Sequence, residues 1–256
     1  MLNSGPRSAC MPQQINIFYR FAKGTLFVLA ICVLMLFFLS CGDKGESPGD
    51  QNIPLQPDSF TFFDLGANSR LSQKVRDDLD QRLGHAAVAN RGIMDLEINY
   101  DGFLKQHFPV LDDLNRNLNF PPGERIEHNV LKLMYRYARK KNTPFDYVEL
   151  VFSKYAQGPL LFRIDFKKDE ANIVQTLKSK YGEPRLIDWK VNDGQSLYWE
   201  KNADFLIVSL VPDQFGEPEY QIRFFFVNNI NMLLETETAE KEKESGQRVK
   251  SGEKAF

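Results

Sequence analysis

Hydrophobic residues recur every three or four positions in the part of the chain from 59 to 142, which is typical of helices that bury one face. The predicted helices are Ser69–Gly84, Gly102–Leu118 and Glu127–Arg139. Ile93–Tyr100, between the first two, is predicted to be extended. Pro109 lacks a backbone N–H, so it breaks the second helix or opens a new one as its first residue. This part is therefore predicted to be mainly helical.

The part from 143 to 235 changes to alternating apolar and polar residues, the pattern of strands with one buried face. Alternation is clear at Val148–Phe152 and Phe162–Phe166. One helix is predicted at Ile173–Tyr181, with Asp169 as its cap. Four more predicted strands are Arg185–Val191, Ser196–Glu200, Phe205–Val211 and Tyr220–Val227. Tight-turn sequences separate them, which predicts antiparallel neighbours. The expected fold class is α+β: an N-terminal helical part packed on a mainly antiparallel sheet with one crossing helix.

The start of the chain has the pattern of an export signal. Arg20 and Lys23 precede an uninterrupted apolar run from Leu26 to Leu39, which ends at Ser40. The run is shorter than the roughly 20 residues of a membrane-spanning helix. Residues 1–40 are therefore predicted to be a signal peptide, whose true start is either the first methionine or Met11. An uncleaved anchor with a single membrane span is the alternative.

The end of this leader resembles that of bacterial lipoproteins, in which a cysteine follows a small residue after the apolar run. The matching residues are Phe38-Leu39-Ser40-Cys41. The resemblance implies a diacylglyceryl group on the Cys41 sulfur, cleavage before Cys41 and acylation of the new amino group, which together give a durable membrane anchor. In such lipoproteins the residue after the cysteine directs sorting, and Gly42 in this position implies that the protein is held at the outer membrane. Because the acidic Asp43 follows one position later, the cytoplasmic membrane is the alternative location.

Two segments lack apolar periodicity. Residues 41–58 are rich in Gly, Pro and acidic residues and are predicted to be a lipidated, flexible tether. Residues 236–256 carry mixed charges and almost no apolar side chains, so they are predicted to be a disordered, charged tail. Deleting Glu235–Phe256 is accordingly expected to leave thermal stability nearly unchanged.

Composition narrows the possible functions. The formal net charge of the 256 residues is −2, which provides no basic field for nucleic acid. The three cysteines all precede residue 42, so the body has no disulfide framework and no thiolate metal site. The histidines His85, His107 and His128 lack the spacing of a zinc site. No cofactor or metal is predicted, and no sequence motif of a nucleotide-binding loop or nucleophile elbow is present.

Two clusters carry candidate chemistry. His128 lies close to Glu124 and Glu127, and such a pair could perform acid–base catalysis, although acids also stabilise the start of a helix. Arg136, Arg139, Lys140 and Lys141 form a basic cluster. It is a possible contact for an anionic partner, or a solvated helix end.

The last third of the chain is similar in element order to small outer-membrane assembly lipoproteins. The residues that carry the similarity are Leu177, Tyr181-Gly182-Glu183-Pro184, Trp189 and Trp199. The resemblance implies a helix, a Gly-x-Pro stop and a tryptophan-bearing meander. The two tryptophans line a ligand groove or pack within the sheet.

These observations predict a lipid-anchored protein of the bacterial cell envelope. We expect no enzymatic activity, but a binding or assembly role towards an envelope protein at the periplasmic face of the membrane. One alternative is an envelope hydrolase using His128 with Glu124 or Glu127. Another is a carrier of hydrophobic ligands. A filled core with an exposed apolar patch would favour the binding role.

Overall fold

Eight strands form one antiparallel sheet in the computed structural model of this chain, which describes residues 58–137, 144–167, 171–189, 194–212 and 215–255. The strands are β1 (Ala87–Ala89), β2 (Val130–Arg136), β3 (Tyr147–Ser153), β4 (Pro159–Phe166), β5 (Arg185–Asp188), β6 (Gln195–Lys201), β7 (Asp204–Pro212) and β8 (Pro218–Phe225). Their spatial order is β1-β2-β3-β4-β8-β7-β6-β5. Two four-stranded meanders therefore join where β4 pairs with β8. The predicted α+β class is confirmed.

Five helices accompany the sheet within the described residues. They are α1 (Gln73–Leu83), α2 (Phe103–His107), α3 (Pro109–Leu118), α4 (Ile173–Tyr181) and α5 (Val227–Ala255). Pro109 opens α3 as its first residue, as one of the two predictions had it. The helix predicted from Ser69 begins later, because Ser72 caps α1 with its hydroxyl, which accepts the N–H of Val75. The crossing helix α4 connects the two meanders.

Both faces of the sheet are covered by packed side chains. On one face, strand residues such as Leu150 and Phe162 pack with α1, α4 and the segment 60–71. On the other face, Val151 and Leu161 pack with α2, α3 and the first turns of α5. The sheet is thus the middle of three layers. This burial explains why its central strands are apolar on both faces.

The prediction of a third helix at Glu127–Arg139 is wrong, because Val130–Arg136 is strand β2. Leu131, Leu133 and Tyr135 point to one core, while Val130 points to the other. A strand with apolar residues on both faces also satisfies helical spacing, so the pattern could not separate the two structures. Pairing with β3 along all seven residues decided between them.

The segment predicted to be extended, Ile93–Tyr100, does bury alternate residues, although it forms no strand. Met94, Leu96 and Ile98 are buried in alternation, yet residues 93–98 belong to no strand of the sheet. Their backbone groups bond instead to α3 and its cap. Asn115 Oδ1 accepts the N–H of Leu96, and Asn119 Nδ2 donates to the carbonyl of Met94.

The predicted disordered tail is also corrected, because helix α5 continues through residues 236–255. Val227, Ile230 and Leu233 are buried and begin the helix against the core. A helix nucleated in this way extends at low cost, since each further residue adds one backbone hydrogen bond. The side chains of Glu237 and Glu240 then hold the next turns to the body.

The predicted parts 59–142 and 143–235 share one sheet, since β2 of the first pairs with β3 of the second. The signal peptide, Cys41 and the tether lie outside the described residues, apart from Asp58 at the tether's end. Among the helices that the structure describes, none has the length and apolar character required to cross a membrane.

Candidate functional site

His128 does not form the predicted pair with Glu124 or Glu127. Both acids are exposed, and Glu127 pairs with Arg125 at 2.9 Å. The His128 side chain is only 2% exposed. Its Nδ1 lies 2.8 Å from Glu237 Oε2, and its Nε2 lies 2.9 Å from the carbonyl oxygen of Leu118. The partner acid therefore comes from the segment that was predicted to be disordered.

The contacts of His128 assign its protons. The carbonyl of Leu118 can only accept, so Nε2 donates to it. With Glu237 ionised, Nδ1 also donates, and the two side chains form an ion pair. Glu237 accepts a further hydrogen bond, from the backbone N–H of Asn129 at 2.7 Å. Burial alone would raise the pKa of Glu237, but the bonds from His128 and Asn129 together lower it below its ordinary value.

This ion pair holds α5 against the start of β2. The Tyr155 hydroxyl adds a second contact, because it donates to Glu240 Oε2 at 2.6 Å. Both ring nitrogens of His128 are occupied by structural bonds, so neither is available to exchange a proton with a substrate in this conformation. The acid–base arrangement that the hydrolase alternative requires is not formed.

The predicted basic cluster is described only in part. Arg136 is exposed at the end of β2 rather than on a helix. Arg139, Lys140 and Lys141 lie outside the described residues, so their contact with an anionic partner stays a prediction. Across the part that the structure describes, no three His, Cys, Asp or Glu side chains are grouped as metal ligands.

The two tryptophans pack within the fold, and neither lines the grooves described below. Both are buried, and each indole N–H has a hydrogen-bond acceptor. Trp189 Nε1 donates to Ser196 Oγ at 3.1 Å, and Trp199 Nε1 donates to the carbonyl of Gly182 at 2.7 Å. Such satisfied, buried tryptophans are core residues.

Sequence reasoning missed a row of charged residues on the sheet face that carries α3. Arg223 pairs with Asp165 at 2.6 Å, and Arg163 lies 3.4 Å from Glu149. The Tyr147 hydroxyl also donates to Glu149, which is buried. The alternation of β4 marked Arg163 and Asp165 as outward-facing, but it could not show that neighbouring strands supply opposite charges. The opposite charges of these pairs neutralise one another within the sheet.

One open groove lies at the β5 edge of the sheet, beside α4. Its volume is about 340 Å³. We call it the edge groove. Its lining residues are mostly apolar: Val174, Lys178, Leu186, Gln195, Leu197, Val208, Leu210 and Tyr220. Leu186 is 54% exposed on the edge strand β5. Apolar side chains therefore remain accessible at this edge.

A larger groove, of about 530 Å³, lies between α1 and the turn at Phe63-Asp64. We call it the cationic groove, and its lining residues are Phe63, Asp64, Leu65, Ser69, Arg70, Lys74, Val75, Asp78, Leu79 and Arg82. Arg82 Nε lies 2.9 Å from Asp78 Oδ2, and its guanidinium lies over the Phe63 ring. The groove combines apolar walls with cations.

Comparison with known proteins supplies no relative. No family model matches the chain, and searches of the curated proteins and of the solved structures find no match either. The two grooves and the leader are therefore the basis for assigning a function.

Proposed function

We propose that this chain is a lipid-anchored protein of the bacterial cell envelope, whose body is a non-catalytic binding module for another envelope protein. The lipid on Cys41 would hold it at the periplasmic face of the outer membrane, with the cytoplasmic membrane as the alternative. The sequence of the leader supports the anchor. The edge groove supports the binding role.

The observation that carries the proposal is an accessible apolar groove on a body whose sheet is packed on both faces. Apolar side chains that could be buried in a core but remain exposed together mark a site for a partner. Leu186 is such a residue, since its side chain is 54% exposed and borders the groove.

The partner's chemistry follows from the strand that borders the groove. Within the described part of the chain, β5 pairs with β6 alone, so the outward backbone N–H and C=O groups of its second edge are open for pairing. An extended segment of a partner protein can pair with this edge and insert alternate apolar side chains into the groove. We therefore expect an extended, apolar-rich segment as the ligand.

The carrier alternative is less well supported. A small hydrophobic ligand is usually buried over most of its surface in an enclosed cavity. The edge groove is open, and the space beneath both faces of the sheet is occupied by the packed side chains of the helices. An extended peptide needs only the open groove and the free edge.

The binding role is tested by crosslinking in native membranes. A photo-crosslinking residue is placed at Leu186 in one variant and at Val110, an equally exposed residue on α3, in a control variant. Leu186 is expected to crosslink to one partner through an extended segment. In the variant that carries the crosslinking residue at position 186, the further change Leu210→Glu in the groove should abolish that product, whereas Val110→Glu should not. Equal labelling from both positions would refute the assignment of the edge groove.

The anchor is tested separately by mass spectrometry of the chain extracted from membranes. We expect a polypeptide that begins at Cys41 and carries acyl groups on its sulfur and amino group. We also expect Cys41→Ala to lack these groups. An unmodified chain with its first forty residues intact would contradict the anchor, whatever the result at Leu186.

A further inference from the structure

The cationic groove contains positive charges that the fold does not use. Within the described residues, the side chains of Arg70 and Lys74 make no hydrogen bond or ion pair. Lys74 lies in the first turn of α1, where the positive end of the helix dipole disfavours a cation, and this turn contains no acidic residue. The stability of α1 therefore does not explain the position of Lys74.

The charges of the groove leave a small positive excess. Asp78 is paired with Arg82. The remaining charged side chains of the groove are two cations, Arg70 and Lys74, and one acid, Asp64. The unpaired charges sum to +1. An anionic group that contacts both cations would gain charge-assisted hydrogen bonds that the protein itself does not supply.

The wall beside these cations is apolar. It consists of Val75 and Leu79 on α1 and of Phe63 and Leu65 on the facing turn. Val75 and Phe63 are half-buried, so part of each side chain faces the groove. A ligand that suits both features has an anionic head and a hydrocarbon chain next to it.

The groove lies where the chain enters the body. Asp58 is the first residue that the structure describes. Its carbonyl accepts a hydrogen bond from Asn202 Nδ2 at 2.8 Å, which holds this residue against the body. Ala67 donates its N–H to Ser59 Oγ at 2.9 Å, and this bond holds the entering segment beside the residues that continue to Arg70. The chain therefore enters the body beside Ala67, three residues before Arg70.

The length of the preceding segment determines how far the groove can be from a membrane anchor. Sixteen residues separate Cys41 from Asp58. The tether predicted for this segment would have a root-mean-square span of roughly 20–25 Å. A lipid on Cys41 would therefore keep the groove within reach of phospholipid headgroups.

We infer that the cationic groove binds an anionic phospholipid of the membrane that holds the anchor. Its phosphate contacts Arg70 and Lys74, and the first carbons of an acyl chain lie along Val75 and Phe63. This contact would orient the body relative to the bilayer. The inference rests on the proposed lipid anchor, but its test does not.

The test uses the full chain in neutral detergent and follows acetylation of single lysines by mass spectrometry. The probe is dihexanoyl phosphatidylglycerol, and dihexanoyl phosphatidylcholine is the uncharged comparison. Lys74 is expected to be protected by the anionic lipid alone. Lys105, an exposed lysine on α2, is the internal control and should remain reactive with both lipids. Equal protection of Lys74 by the two lipids would overturn the inference.

Variants then test which residues hold the headgroup. Arg70→Glu changes the charge of the groove by two units, which should weaken protection of Lys74 about 30-fold at about 1 kcal/mol per charge. Lys105→Glu makes the same charge change on the other side of the sheet and should leave protection unaltered. The same loss in both variants would show a nonspecific charge effect and refute the site.

Two further probes separate a phospholipid from other anions. Glycerol phosphate has the head without the acyl chains and should not protect Lys74 at the same concentration. A peptide of alternating glutamate and leucine should not protect it either. Protection by glycerol phosphate would overturn the role of the acyl chain, and protection by the peptide would assign the groove to a protein. The readout at Lys74 is independent of Cys41 and Leu186, so each proposal can fail alone.

Discussion

The ion pair between His128 and Glu237 predicts that the docked part of α5 stabilises the body. Glu237→Ala removes the acceptor of two hydrogen bonds, one from His128 Nδ1 and one from the Asn129 N–H. His128 is buried, so its ring N–H would lose its partner with little access to water. Leaving a buried donor without an acceptor costs about 1–3 kcal/mol. We therefore expect the loss of both bonds, from His128 and from Asn129, to lower the free energy of unfolding by about 3 kcal/mol.

Thermal or urea unfolding of the full chain in neutral detergent measures this loss. For a body of about 200 residues, 3 kcal/mol corresponds to a decrease in Tm of about 6–12 °C. Glu244→Ala is the matched control, because Glu244 is exposed two turns further along the same helix. It should change stability by less than about 0.5 kcal/mol. Equal stability of the two variants would refute the docking contact.

The pH dependence supplies a second check. Because the pKa of Glu237 is lowered in the folded protein, its contribution is fully present above the unfolded-state value of 4.5. That contribution disappears as the pH falls through the lower folded-state pKa. The difference between Glu237→Ala and the unaltered chain should therefore be present above pH 4.5 and decrease below it. A difference that grows as the pH falls below 4.5 would contradict an ionised Glu237.

Truncation separates the docked turns of α5 from the rest of the helix. A chain that ends at Glu240 keeps both Glu237 and the acceptor of Tyr155, so its stability should stay close to that of the full chain. A chain that ends at Leu234 loses both contacts and should be less stable by about 3 kcal/mol or more. This replaces the expectation from sequence that deletion of 235–256 is neutral. Indistinguishable unfolding curves of the two truncated chains would restore it.

Three further predictions concern β6 and β7 and the turns beside them. Ala203 has φ +68° in the two-residue turn before β7, where glycine is favoured, so Ala203→Gly should raise the free energy of unfolding by up to about 1 kcal/mol in urea unfolding. Burial raises the pKa of Asp204 to about 6, so its stabilising contribution is lost as the pH rises from 3.8 through 6. Asp204→Asn keeps an acceptor for the Val227 N–H and should increase stability by about 1–2 kcal/mol at pH 8, with a smaller gain at pH 5 in the same assay. A Cβ on Gly194 would lie 1.9 Å from the buried Trp189 ring, so Gly194→Ala should lower stability by about 2–4 kcal/mol, measured as a fall in Tm.

Local sequence was sufficient where neighbouring residues alone decide the structure. Pro109 began α3 because a proline suits the first position of a helix. The strands β5 to β8 pair consecutively because short turns, such as that at Asn202-Ala203, bring each strand back beside the previous one. The grooves could not be predicted in this way, since Leu186 and Val174 meet only through the packing of α4 on the sheet.

The amino-acid sequence by itself determined the α+β class and the antiparallel order of β5–β8, because each depends on spacing within a few residues. The export signal also depends on local spacing and stays a prediction. Only the tertiary structure decided that Val130–Arg136 is a strand, since burial on both faces gives a strand and a helix the same apolar pattern. Only the tertiary structure also joined His128 to Glu237. These residues are 109 positions apart, and a buried charge selects its partner by distance in the folded protein rather than along the chain.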